Sequence, residues 1–196
     1  MTAIVAIKKG KQIAMGADGV SSTDKNIYSI DVSSSYKVQR ILGTKHCLIA
    51  GTGEVGSINI VRSCDNLLDG KEDVSFDYMV NKVVPKMFHL IKDANKIGKD
   101  NSYVDMNAEF VIATKTHLYK VNYIGNVTEY DDVCCAGSGN TLLFCKYNHI
   151  KDKDMSLEEK IIDCLNYTIA HGKGYGYPLV ILNNYDDKEI IIKSKK

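Results

Sequence analysis

The chain carries almost no net charge: 25 Lys and Arg stand against 24 Asp and Glu, leaving +1 over 196 residues. No segment gathers a basic face dense enough for a phosphate backbone, which argues against nucleic acid as a partner. Long apolar runs are missing too, and nothing approaches the roughly 20 residues that span a bilayer. The first residues show neither the charged region nor the apolar stretch of a secretory signal, so a cytoplasmic protein without a membrane segment is expected. The six cysteines (Cys47, Cys64, Cys134, Cys135, Cys145, Cys164) have no C-x-x-C spacing and sit mostly inside apolar runs. They read as reduced core residues, with Cys134 and Cys135 on opposite faces of one strand. The five histidines are scattered without ligand-like spacing, so no metal site is expected.

What is present is a chain with 44% hydrophobic residues, enough for a substantial core. One domain over residues 1–196 is expected. The segment from Thr2 to Lys9 is a β-branched run, Gly10-Lys11 is a tight turn, and Gln12 to Gly16 returns. A two-residue turn pairs the strands so that Asp18 comes back beside Thr2.

Thr2 is the first chemically suggestive residue. A threonine hydroxyl needs a base, and an α-amine with a pKa of about 7.7–8.0 is one, poised near neutrality. A threonine freed of Met1 therefore carries nucleophile and base on one residue. The small Thr2 side chain is the type that normally permits removal of an initiator methionine. A carboxylate at Asp18 gives this end of the hairpin a partner for a nearby cation.

Further along, Val20 to Ser35 is a polar, serine-rich connection with one short strand around Ile27 to Val32. Tyr36 to Ile41 and His46 to Gly51 form a second hairpin across Gly43-Thr44. The spacing of Val55, Ile58, Val61 and Leu67-Leu68 predicts a helix over 54–68. Ser75 caps a second helix running toward Gly98, with a kink at Pro85. Strands are expected over 109–113, 117–121 and 127–130, and Val133 to Ala136 leads into Gly137-Ser138-Gly139. A short helix comes next over 141–147, and the capping box Ser156-Leu157-Glu158-Glu159 opens a last helix over 155–170. A closing hairpin and a basic tail, Lys193 to Lys196, end the chain. Paired hairpins and helices of this kind define an α+β chain.

The order Thr2, strand, turn, Gly16-Ala17-Asp18, polar loop, Tyr36-Lys37-Val38-x-Arg40, strand, Ala50-Gly51 resembles the proteasome β-subunit family, and within it the bacterial HslV peptidases. The resemblance implies a four-layer αββα sandwich of the N-terminal nucleophile hydrolase type. It puts the attacking threonine on Thr2, with Asp18 and Lys37 as its helpers. A lysine ammonium beside the amine lowers its pKa and favours the developing alkoxide, while Asp18 holds that lysine charged and in place. The Gly51 N–H matches the family's oxyanion donor, Ile49 its pocket lining, with apolar substrate side chains favoured, and Ser138 the serine that hydrogen-bonds near the threonine amine.

The same resemblance implies polypeptide substrates, stacked homo-oligomeric rings and an ATP-driven unfoldase ring as partner. It brings in no cofactor beyond a monovalent cation on the backbone of the loop after the last helix. Here that loop, His171-Gly172-Lys173-Gly174-Tyr175-Gly176-Tyr177-Pro178, departs from the family, so no site residue is carried over from it. An inactive ring subunit, or an amidase acting on a small molecule, stays open beside the peptidase. Thr2, Asp18 and Lys37 together favour the peptidase.

Overall fold

The hairpin at the start of the chain sets the register for the site. Strands β1 (Ile4–Lys9) and β2 (Gln12–Ala17) are joined by the two-residue turn, with Gly10 at φ 63°, and pair Lys9 with Gln12 and Ile4 with Ala17. Both faces of β1 are covered. Ala3, Val5 and Ile7 pack toward helices, while Ile4 and Ala6 pack toward a second sheet, which is why the strand is apolar throughout. The computed structural model describes residues 1–22, 27–30, 35–94, 98–100 and 103–194.

A small hairpin comes next, β3 (Val20–Ser22) with β4 (Ile27–Ser29). Residues 23–26 and 31–34 of the expected serine-rich connection lie outside the described residues, as do Lys195 and Lys196 of the basic tail. Strand β5 (Val38–Arg40) then pairs with β6 (Leu48–Gly53), Val38 opposite Ala50.

Helix α1 (Val55–Arg62) is shorter than its apolar spacing predicts. It stops at Ser63, whose N–H and hydroxyl both donate to the Asn59 carbonyl, a local side-chain bond that competes with continuation of the helix. Leu67 and Leu68 are buried, but from a turn. Helix α2 (Phe76–Tyr78), capped by Ser75, runs through a π-helical segment (Met79–Val83) into α3 (Val84–Asp93). Pro85 falls in the first turn of α3, where the wider turn before it accommodates the missing N–H.

After a second small hairpin, β7 (Gly98–Asp100) with β8 (Tyr103–Asp105), come β9 (Ala108–Ala113), β10 (Leu118–Val121), β11 (Val127–Tyr130) and β12 (Val133–Ala136). Helices α4 (Asn140–Ile150) and α5 (Leu157–His171) are next, the latter opened by the capping box of Ser156 and Glu159. Strands β13 (Leu179–Asn183) and β14 (Ile190–Ile192) close the chain.

The long strands form two antiparallel sheets, β12-β1-β2-β13-β14 and β11-β10-β9-β6-β5. Ile4, Met15, Leu48, Val111 and Leu182 fill the space between them. Leu143, Tyr147, Ile161 and Leu165 of α4 and α5 cover the outer face of the first sheet. Ile58, Val61, Met79, Met87 and Ile91 cover the outer face of the second. The result is the αββα sandwich. Cys134 faces the inter-sheet core and Cys135 the helical side, and burial pushes both thiols up to about 12. Both are held as thiols at neutral pH.

Candidate active site

Asp18 leaves β2 just past its pairing with β1 and folds back onto the first residues. Its N–H donates to the Ala3 carbonyl at 3.1 Å, and its Oδ1 accepts from the Ala3 N–H at 2.8 Å. The carboxylate is 1% exposed. Its second oxygen accepts from the Val20 N–H at 3.3 Å. Lys37, just before β5, reaches across the gap between the sheets and its Nζ meets Asp18 Oδ1 at 2.6 Å. This is the ion pair the sequence reading expects. Burial pushes the lysine below its ordinary pKa, and Asp18 opposes that by attraction and by hydrogen bonding.

The same ammonium donates to the Met1 carbonyl at 3.3 Å, so it lies one peptide unit from the Thr2 nitrogen. The Thr2 N–H donates to Ser138 Oγ at 3.2 Å, and the Gly139 N–H donates to the Thr2 carbonyl at 3.1 Å. Gly137, at φ 80°, brings this turn onto Thr2, and a Cβ there would collide with the Thr2 carbonyl. The Gly-Ser-Gly sequence thus clamps Thr2 from the β12–α4 turn. With Met1 attached, the chain-terminal amine already lies below its ordinary value, first through burial and then through Lys37, with Asp18 opposing.

Thr2, Lys37 and Gly51 border one cavity of about 240 Å³, together with Ile58, Asn59 and Arg62 from α1. Gly51 cannot carry a side chain here, because Ile58 Cγ2 would lie 2.8 Å from its Cβ. Ile49, two residues earlier on the same face of β6, corrects the sequence reading. It is 1% exposed, packs in the core with Ile58, and does not line the cavity. Val55 departs as well: its place in the apolar spacing predicts core, yet it is 56% exposed at the cavity wall.

The loop after α5 contributes a group that sequence reasoning missed. The Tyr175 hydroxyl donates to Ser138 Oγ at 3.0 Å, behind the Thr2 nitrogen. The glycines that break the family pattern allow this approach. A Cβ on Gly172 would fall 2.6 Å from the Tyr175 ring, and Gly174, at φ 79°, lies under the Met1 side chain. The alternation of glycines with tyrosines was the available signal. In the same loop the Gly176 carbonyl accepts from the Gly19 N–H at 2.9 Å and the Tyr177 carbonyl accepts from the Ser29 hydroxyl at 3.0 Å. Each of these two carbonyls thus already accepts one hydrogen bond within the chain, and no step of the chemistry runs through a cation. Among the described residues no cluster of three or more His, Cys, Asp or Glu side chains could hold a metal ion, and no helix is long and apolar enough to cross a membrane.

Two facing antiparallel sheets between helical layers, with β1 delivering Thr2 to the rim, are the fold of the N-terminal nucleophile hydrolases. Within that class the chain belongs to the proteasome family, whose proteasome-subunit signature matches residues 2–171. It is 26% identical over 139 residues to the ATP-dependent protease subunit HslV of Caldicellulosiruptor saccharolyticus, covering 70% of this chain and 72% of that one. BPH of Thiobacillus denitrificans superposes with a TM-score of 0.78 at 16% identity over 95% of this chain and 100% of its own. HslV of Trypanosoma brucei gives 0.65 at 14% over 92% and 98%, and Anbu of Yersinia bercovieri 0.72 at 13% over 97% and 86%. At those identities the three structures speak for the fold.

Proposed function

We propose that this chain is a threonine-type endopeptidase subunit of a self-compartmentalised ring protease, acting once Met1 is removed and Thr2 begins the chain. One observation carries the reading. A lysine ammonium held by a buried aspartate at 2.6 Å lies 3.3 Å from the carbonyl attached to the Thr2 nitrogen, beside a cavity bordered by Thr2 and Gly51.

In this mechanism the Thr2 α-amine takes the Oγ1 proton while Oγ1 attacks the substrate carbonyl carbon. The charge developing on the carbonyl oxygen is met by the Gly51 N–H, and Lys37 favours the alkoxide. As the C–N bond breaks, the Thr2 ammonium returns its proton to the leaving amine, leaving an ester on Oγ1. A water, deprotonated by the same amine, attacks the ester. The new acid departs and Oγ1 regains its proton. Ser138 accepts an N–H of the amine, and Tyr175 acts through Ser138 as a positioning residue. By donating its own proton to Ser138, Tyr175 leaves the serine to accept from the amine, so the amine lone pair stays turned to Oγ1.

The substrates on this reading are polypeptides. The relative named as an ATP-dependent protease subunit supports a ring of identical copies fed by an ATP-driven unfoldase. Phe76 and Val80, one helical turn apart, and Phe144 on the opposite helical layer are exposed apolar residues that such an assembly would cover. The test is Thr2→Ala. Hydrolysis of peptide amides is abolished while size-exclusion behaviour is unchanged, and an active variant would refute the assignment.

A further inference from the structure

The cavity beside Thr2 contains one charged side chain that the mechanism leaves unused. Helix α1 turns Val55, Ile58, Asn59 and Arg62 toward it, the i, i+3, i+4, i+7 stripe of a helix. Val55 and Asn59 on this stripe are exposed at the cavity mouth, whereas Ile58 and Arg62 are buried, and a buried arginine is out of place unless something answers its charge. Arg62 is 8% exposed. Its guanidinium donates to the Tyr36 carbonyl and, at 2.9 Å, to Asn59 Oδ1, both neutral acceptors. Its Nε is buried with no acceptor among the described residues.

Among the described residues no carboxylate pairs with Arg62. Among the described residues no Asp or Glu lines the cavity either. Lys37 shares the cavity, but Asp18 answers its charge. Among the described side chains of the lining, Arg62 is the cation that no carboxylate answers. Burial alone pushes Arg62 below its ordinary value, with no opposing carboxylate. An arginine does not escape by losing its proton, so the buried charge persists until an anion arrives.

The position of the reacting bond decides what that anion is. With Thr2 Oγ1 bonded to the carbonyl carbon and the oxygen turned to the Gly51 N–H, the side chain preceding the cut bond enters the cavity that both residues border. Two of the five guanidinium N–H groups are taken by neutral acceptors, which leaves donors on the fork for a carboxylate. We propose that this cavity selects an acidic side chain, Glu or Asp, immediately before the cut bond, with Arg62 as its counter-ion. The inference rests on the peptidase reading and replaces the apolar preference drawn from Ile49.

The test compares peptide coumarylamides that differ only in the last residue, Glu, Gln, Leu or Lys, at pH 7 and low salt. Glu exceeds its isostere Gln by roughly ten- to hundredfold in kcat/KM, the range of a charge-assisted hydrogen bond in a buried site. Lys is the poorest of the four, and added salt narrows the Glu advantage. In Arg62→Met, which keeps the volume and loses the charge, the Glu-to-Gln ratio falls to near one. The ratio is read within each protein, so a general loss of turnover from the freed Tyr36 carbonyl does not obscure it. Cleavage of the Leu peptide with Glu no better than Gln in the unaltered protein overturns the inference alone. Failure to cleave any of the four, or cleavage undiminished in Thr2→Ala, overturns the peptidase reading and this inference with it.

Discussion

Replacing Asp18 by Asn keeps the shape of the side chain and removes its charge, which leaves the groups around it with a deficit the structure defines. All three partners of the carboxylate are donors: the Ala3 and Val20 N–H groups and the Lys37 ammonium. Asn has one acceptor oxygen, so its amide N–H₂ must face at least one of these donors. Lys37, whose side chain is 9% exposed, is left as a buried cation without its carboxylate. Breaking a buried pair from one side costs about 3–5 kcal/mol. Some of this is recovered when Lys37 releases its proton, because burial already lowers its pKa and Asp18 is what opposes the fall. A net loss of about 2–4 kcal/mol lowers the midpoint of thermal unfolding by roughly 5–15 °C for a chain of this size. The deficit also depends on pH. In the variant the folded lysine binds its proton less tightly than the unfolded one, so stability rises with pH between its lowered value and about 10.4. Circular-dichroism melts of both proteins from pH 7 to 10 measure this, and the gap narrows toward alkaline pH. Equal midpoints at pH 7, or a gap that does not change with pH, would refute the buried-pair argument.

With Met1 attached, Lys37 lowers the chain-terminal amine after burial does while Asp18 opposes, and since that ammonium lies one peptide unit from the Thr2 nitrogen, Lys37→Met relieves the same repulsion on the Thr2 amine once Met1 is gone. The acid limb of kcat/KM therefore moves to higher pH and turnover falls about 10²-fold or more, whereas a limb at unchanged pH would remove Lys37 from the tuning of the base. Tyr175→Phe keeps the ring against Gly172 and deletes the hydroxyl that donates to Ser138. A lost hydrogen bond of about 1 kcal/mol lowers kcat roughly fivefold with KM unchanged. Because Ser138 becomes a better acceptor for the ammonium, the acid limb also rises, and an altered KM with an unmoved limb would reduce Tyr175 to loop packing.

The first hairpin was legible because its register leaves no freedom. A two-residue turn at Gly10-Lys11 fixes Ile4 opposite Ala17, and Asp18 then has only one place to be. The caps at Ser75 and Ser156 were legible for a similar reason, since each is a local exchange of hydrogen bonds written in three or four residues. What failed depended on distant packing. Apolar spacing carried α1 on to Leu68, but Leu67 and Leu68 reach the core from a turn, which periodicity cannot tell from a helix. The resemblance assigned Ile49 to the pocket, yet Ile58 of α1 stands at the wall and Ile49 lies in the core. In the glycine-rich loop the departure from the family hid a replacement. Tyr175 meets Ser138 across 37 residues of sequence, and the local alternation of glycines with tyrosines marks a tightly packed loop without naming its partner. Arg62 carried a fainter signal, a cation on the stripe that Ile58 marks as inward-facing.

The central claim is that one residue supplies both attacker and base, and intact-mass spectrometry with a peptide epoxyketone tests it most directly. That reagent needs a hydroxyl and a free amine on the same residue. The account predicts that the active protein has the mass of a chain beginning at Thr2 and gains one reagent per chain, with the adduct mapped to Thr2 and absent from Thr2→Ala. Active protein that retains Met1, or an adduct that survives the alanine substitution, would contradict it.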